Sequence, residues 1–212
     1  MIIKGELGKV VLGRAQLTCW YPDIKGAWRQ NPKLGGGGAL ADMGIHCIDL
    51  LSYLFGSDVT AVTGFVDTLA FKYKVEDSSA VLLKFTNGVH GIVDNNFNVP
   101  DVASQNVLEI YGTQGSILCQ GTIGQAPGGK VTAYLTQSPG GYDPKQNRTV
   151  ETTPQILKVK QVDMYTAEIE DFADAILKHR LPLNHGDEAF KTQKVLMAVY
   201  QSAKSKKVVG IK

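Results

Sequence analysis

SSAVLLKF at 78–85, Thr86-Asn87-Gly88, and then GVHGIVDNNF at 88–97 form the stretch that decides the fold. Apolar and β-branched runs on either side of an Asn-Gly pair mark two strands joined by a tight turn. So short a link forces them antiparallel. The pattern repeats outward in both directions. Upstream stand VTAVTGFVDTLA at 59–70 and, at the start of the chain, KVVLGRAQLT at 9–18. Downstream come NVLEIYG (106–112), SILCQG (116–121), KVTAYLTQ (130–137) and ILKVKQV (156–162), with Gly112-Thr113-Gln114-Gly115 as a second hairpin turn. A last run at 208–211 reads as one more edge strand.

Three segments change period. Leu40, Met43, Cys47, Leu50, Leu51 and Leu54 recur at spacings of three and four, and Gly56 stands where a helix ends, which predicts a helix over 39–55. Residues 164–179 set Ile169, Phe172, Ala173, Ile176 and Leu177 on one stripe. Residues 187–205 do the same with Phe190, Val195, Leu196 and Val199, and Arg180-Leu181-Pro182-Leu183-Asn184 separates the two. The expectation is one α+β domain over 1–212: a large, mostly antiparallel open β-sheet with helices packed on one face. The other sheet face, if apolar, needs a partner. The Gly-Gly, Asp-Pro and Asn-Arg pairs between 139 and 154 predict an exposed, mobile excursion.

Composition narrows the function classes. With 212 residues the chain can bury a core without staples. Hydrophobic residues are 43%, charged residues 20% and the net charge +2 with both signs interspersed, so nothing favours nucleic acid or a membrane surface. No stretch approaches about 18 consecutive apolar residues, and the first six residues do not read as a secretory signal. Cys19, Cys47 and Cys119, an odd set without C-x-x-C spacing, read as reduced, buried thiols in a cytoplasmic protein.

The chemistry centres on Asp42-Met43-Gly44-Ile45-His46. A carboxylate and an imidazole at i and i+4 share a helical face, and a histidine beside a carboxylate suits general acid/base work near neutrality. The plain alternative is a surface histidine bonded to a local carboxylate. The pair follows a long aromatic loop, 20–34, and four glycines, Gly35 to Gly38, where backbone or ligand can approach closely. Trp20, Trp28 and Arg29 make an aromatic and cationic set fit to line a pocket for a polar ring, although Trp20, just after a strand, can equally cap the core. No metal site is expected, because the other histidines lack ligand spacing. Gly36-Gly37-Gly38-Ala39-Leu40-Ala41 fits a relaxed dinucleotide fingerprint only superficially, since a polar loop and not a strand precedes it. No cofactor-binding residue is therefore assigned.

These residues also carry a resemblance. Trp28-Arg29, the run Gly36-Gly37-Gly38-Ala39-Leu40-Ala41-Asp42-Met43-Gly44-Ile45-His46, and Ile48-Asp49-Leu50 resemble the signature of the glucose-fructose oxidoreductase / inositol dehydrogenase / MocA (Gfo/Idh/MocA) family. Gly5-Glu6-Leu7-Gly8-Lys9-Val10 resembles the entry to its second domain, and Glu168 to Arg180, with Gly186-Asp187-Glu188-Ala189 and Ser202-Ala203-Lys204, resembles its end. The resemblance covers the whole chain, by the family's C-terminal half alone. It implies the substrate-binding and oligomerisation half of an NAD- or NADP-dependent oxidoreductase acting on a sugar, polyol or related carbohydrate. His46 would move the proton, Asp42 would orient it or bind a substrate hydroxyl, and Trp28 and Arg29 would border nicotinamide and substrate. It also implies a homo-oligomer through the sheet face. The family's N-terminal Rossmann domain and its E-K-P segment have no counterpart here, so the isolated chain is expected to bind no NAD(H) and to be inactive. The competing expectation is a non-catalytic binding or oligomerisation module derived from the same family.

Overall fold

The computed structural model describes residues 1–125, 127–136, 144–145 and 153–211. Among these residues nine strands form one sheet: β1 (Val10–Thr18), β2 (Val59–Asp67), β3 (Ser78–Phe85), β4 (His90–Asn96), β5 (Val107–Gly112), β6 (Gly115–Gln120), β7 (Lys130–Leu135), β8 (Gln155–Leu157) and β9 (Val209–Gly210). Their order is β8-β7-β6-β5-β1-β4-β3-β2-β9. Two antiparallel meanders, β2-β3-β4 and β5-β6-β7-β8, are thus joined by the first strand of the chain. β1 runs antiparallel to β5 and parallel to β4, with Arg14 opposite Glu109 on one side and Ile92 on the other. The parallel pair was not legible from hairpin spacing, because it joins strands more than seventy residues apart. The large, mostly antiparallel open sheet is as expected.

Helices cover one face. A short α1 (Pro32–Gly35) precedes a π-helical turn, Leu40–Gly44, which runs on into α2 (Ile45–Phe55) and ends at Gly56 in the left-handed conformation, φ 54°. α2 lies directly on β1 because Gly13 has no side chain: a Cβ there would stand 2.4 Å from the Phe55 ring and 3.1 Å from Leu51. Leu40, Cys47, Ile48 and Leu51 are completely buried against Ala15, Val93 and Ile110. By length and composition Pro32–Phe55 would suffice to cross a membrane. Its apolar side is instead taken up by the sheet, and left-handed Gly36 breaks it after α1. α4 (Gly186–Ser205) buries Val195, Leu196, Val199 and Ser202 beside α2 and over β2.

Several expectations are corrected. The stripe of α3 (Met164–Leu177) does not meet the sheet: only Ala175 is buried, and Ile169, Phe172, Ile176 and Leu177 are 59 to 79% exposed. An amphipathic period reports that a face seeks cover, and not which element supplies it. The strand expected over 156–162 is confined to Gln155–Leu157, since only Val131 to Ala133 of β7 offer it partners. Most of the excursion expected over 139–154 lies outside the described residues. The open sheet face is mixed and not simply apolar. Phe65 and Leu82 are exposed on it, while at its centre Arg14 bridges Asp94 at 2.9 Å and Glu109 at 3.9 Å.

Candidate functional site

The site forms where β1 and β4 end. Beyond Thr18 the chain stays beside the extension of β4, with Cys19 N–H donating to Asn96 O and Tyr21 N–H to Phe97 O. It then leaves as a loop folded on itself. The Gln30 amide donates to Pro22 O at 2.6 Å and accepts from Ile24 N–H at 3.0 Å. Asn31 caps α1 by accepting from Lys33 N–H. Gly35 packs against the backbone of Arg29, where a Cβ would come within 2.8 Å of Arg29 O. The loop thereby sets Arg29 over the start of the helix. Its Nε donates to Asp42 Oδ1 at 2.8 Å, and its guanidinium carbon lies 4.4 Å from the Trp28 ring centre. The Asp42 carboxylate raises the Arg29 pKa, chiefly through this hydrogen bond.

Asp42 and His46 stand one turn apart across the change from π- to α-helix, and both reach the surface, because Met43, Gly44, Cys47 and Ile48 take the buried side. The carboxylate is turned to Arg29. His46 is exposed and makes no hydrogen bond among the described residues, which leaves its ring nitrogens open to an incoming hydroxyl. A π-turn in a helix often marks a functional position.

An aromatic wall stands beside this helix. Trp20 meets Phe71 edge-on at 5.2 Å, Phe71 meets Tyr73 at 5.3 Å, and Tyr21 meets Phe97 at 5.0 Å. The Tyr73 hydroxyl donates to Tyr21 O, and both tyrosines pack against the cluster of Ala39, Met43 and Phe97. Trp20 and Trp28 are each about half exposed, so Trp20 presents a free surface besides its contact with Phe71. Cys19 lies in the same layer, and burial, aided by Asp101 and Asp42, pushes its thiol up to about 11.

Sequence reading missed Phe71 and Tyr73, which reach the wall from the β2–β3 connection. What holds them is Asp77, completely buried, whose carboxylate accepts from Leu69, Ala70 and Phe71 N–H and from the Asn98 amide at 2.8–3.0 Å. The available signal was the acidic pair Glu76-Asp77 just before an apolar strand.

The glycine run is accounted for by the protein itself. A Cβ on Gly38 would lie 1.8 Å from Glu76 O, and one on Gly37 would lie 2.1 Å from the Tyr200 hydroxyl. The close approach is therefore made by backbone and side chain of the same chain. Ala39 N–H donates to Glu76 O and Leu40 N–H to Glu76 Oε1. This helix start accordingly does not fit a dinucleotide pyrophosphate, which would need those donors. No group of three or more potential metal ligands occurs among the described residues. Two concavities lie away from Asp42 and His46. One, of about 620 Å³, runs between α4 and β9 beside Phe190 and Met197, and the other, of about 340 Å³, lies on the open sheet face around Leu12, Leu82 and Ile92.

Comparison with known proteins places the fold. The chain is 23% identical over 203 residues to the 1,5-anhydro-D-fructose reductase of Ensifer adhaerens, covering 95% of this chain and 56% of that protein. It is 30% identical over 142 residues to the levoglucosan dehydrogenase of Pseudarthrobacter phenanthrenivorans, covering 55% of this chain and 36% of that one. Among solved structures, aldose-aldose oxidoreductase from Caulobacter crescentus in complex with glycerol superposes with a TM-score of 0.82 at 24% identity, over 99% of this chain and 58% of that one. Levoglucosan dehydrogenase in complex with NADH and levoglucosan gives 0.81 at 19%, over 100% and 61%. The chain thus spans little more than half the length of the relatives it matches end to end. Residues 1–118 match the GFO/IDH/MocA C-terminal domain, and the chain belongs to the Gfo/Idh/MocA family.

Proposed function

We propose that this chain is the substrate-facing, catalytic half of an NAD(P)-dependent oxidoreductase acting on a sugar, polyol or related carbohydrate. The observation that carries the reading is the gathering of Asp42, His46, Arg29 and Trp28 at one end of the sheet, in a chain whose relatives include dehydrogenases and reductases of sugars. His46, exposed and unengaged, takes the proton of a substrate hydroxyl, or returns it to the carbonyl oxygen in the reverse direction. Asp42 holds the Arg29 guanidinium, whose remaining N–H groups face substrate oxygens. Trp28, with Trp20 on the aromatic wall, offers a flat surface to the apolar face of a ring. Since the helix start of this chain does not fit a dinucleotide, NAD or NADP belongs to a separate Rossmann domain, and the isolated chain is inactive.

The open sheet face supports pairing with a second copy, since exposed Phe65 and Leu82 flank the Arg14–Asp94–Glu109 array on it. Three free thiols, two of them buried, favour a reducing, cytoplasmic setting.

The test is His46→Ala in the protein that also contains the dinucleotide-binding domain. Turnover of a cyclic polyol falls about 100-fold or more, the low end for a lost acid/base group, with cofactor affinity retained. Unchanged turnover would leave the chain as the non-catalytic module.

A further inference from the structure

The helix that carries Asp42 and His46 has no cap of its own. Its first residue is Ala39, and no side chain of the helix or of the preceding glycines accepts from its leading N–H groups. Helices leave four such donors at their start, and buried ones must be met from elsewhere. Here two distant elements meet them. Ala39 N–H donates to Glu76 O at 3.0 Å, and Leu40 N–H to Glu76 Oε1 at 3.1 Å. The same Oε1 accepts from the Tyr200 hydroxyl at 2.7 Å. Asp42 N–H returns to the regular pattern, donating to Gly38 O.

Glu76 is only 8% exposed, and its side-chain hydrogen bonds among the described residues are those of a cap. Tyr200 comes from α4, 124 positions away in sequence. Gly37 and Gly38 are what let both groups come so close. The π-turn begins immediately beyond this clamp, at Leu40, so the clamp sets the rotational start from which Asp42 and His46 are presented.

We propose that Glu76 and Tyr200 are positioning residues for the reaction: together they cap the helix at Ala39 and Leu40 and fix where Asp42 meets Arg29 and where His46 is displayed. The consequence for turnover rests on the reading of His46 as the acid/base group. The cap itself does not.

The variants are Tyr200→Phe, which keeps the ring, Glu76→Gln, which keeps an acceptor, and Glu76→Leu, which keeps neither charge nor acceptor. In this chain, residue-resolved amide exchange is read at Ala39 and Leu40, with Val93 in β4 and Val199 in α4 as internal references, together with the Arg29 Nε–H resonance that reports the Asp42 contact. The expected result is at least ten-fold faster exchange at Leu40 in both Tyr200→Phe and Glu76→Leu, unchanged references, and a shifted or broadened Arg29 Nε–H signal. Glu76→Gln stays near wild type. In the protein that includes the dinucleotide-binding domain, Tyr200→Phe and Glu76→Leu lower kcat while KM for the cofactor is kept, and Glu76→Gln restores most of the rate. Uniform acceleration of exchange at all sites, or none at Leu40, overturns the cap. If His46→Ala abolishes turnover but Tyr200→Phe leaves kcat and the Arg29 signal unchanged, the positioning role fails while the catalytic reading stands. If His46→Ala itself leaves turnover intact, the catalytic reading fails, and the exchange data still decide the cap.

Discussion

Replacing Asp77 by asparagine should detach the aromatic wall while leaving the sheet in place. The native carboxylate uses Oδ1 for Leu69 N–H and the Asn98 amide, and Oδ2 for Ala70 and Phe71 N–H. An asparagine of the same shape can keep only one of those oxygens, so two donors are left facing an NH2 group. A buried donor without an acceptor costs about 1–3 kcal/mol. Because Leu69 is 71% exposed and water can reach its end of the loop, the sum should fall near the lower half of that range, about 2–4 kcal/mol for the pair. Urea unfolding measures this as a lower midpoint at unchanged slope. Phe71 would also leave the edge of Trp20, which shifts the tryptophan emission to the red under conditions where the protein is still folded. A loss below about 1 kcal/mol, or an unchanged emission maximum, would refute the claim that this carboxylate holds the β2–β3 connection against Trp20.

Further outcomes separate the other contributions. Gly38→Ala puts a methyl 1.8 Å from a backbone oxygen and should cost more than about 2 kcal/mol, whereas Gly36→Ala, left-handed but in open space, should cost about 1; thermal unfolding of the two proteins side by side checks the order. Arg29→Ala breaks a pair in which both side chains are more than a third exposed, so stability should change by less than about 1 kcal/mol while the Trp28 environment changes. Burial pushes the Cys47 thiol from 9.0 up to about 12, so its contribution is fully present below pH 9 and is lost as pH rises towards that value; Cys47→Ala should flatten the alkaline loss of stability. Asp171 is held below 3.8 by Leu183 N–H and by Arg180, and its contribution is present above that value and lost as pH falls below it. A protection factor at Leu183 that falls as pH drops below that value checks it.

Much of this molecule follows from local pattern. The two meanders, the helical stretch between the glycine run and Gly56, and the display of Asp42 and His46 on one side of it rest on short-range rules: strand alternation, turn chemistry and helical period. Such rules act between residues a few positions apart, and here neighbours in sequence do stay neighbours in space. The most specific part of the resemblance to the Gfo/Idh/MocA family rested on one short stretch, residues 28–50.

What local pattern does not contain is the choice between distant partners. β1 could have paired at an edge; it lies between β4 and β5 because Gly13, Ala15 and Leu17 complete the surface on which α2 packs. The stripe of α3 has the period of a core helix and still faces solvent. Asp42 turns to Arg29, thirteen residues before it, because a folded loop delivers the guanidinium there at 2.8 Å. Glu76, Asp77 and Tyr200 belong to no motif that the sequence analysis singled out, yet each ends a long-range hydrogen bond that holds the site together. Sequence period sets which faces are apolar and where elements start and stop. Only the packed structure decides which buried donor meets which acceptor, because that depends on shapes brought together from opposite ends of the chain.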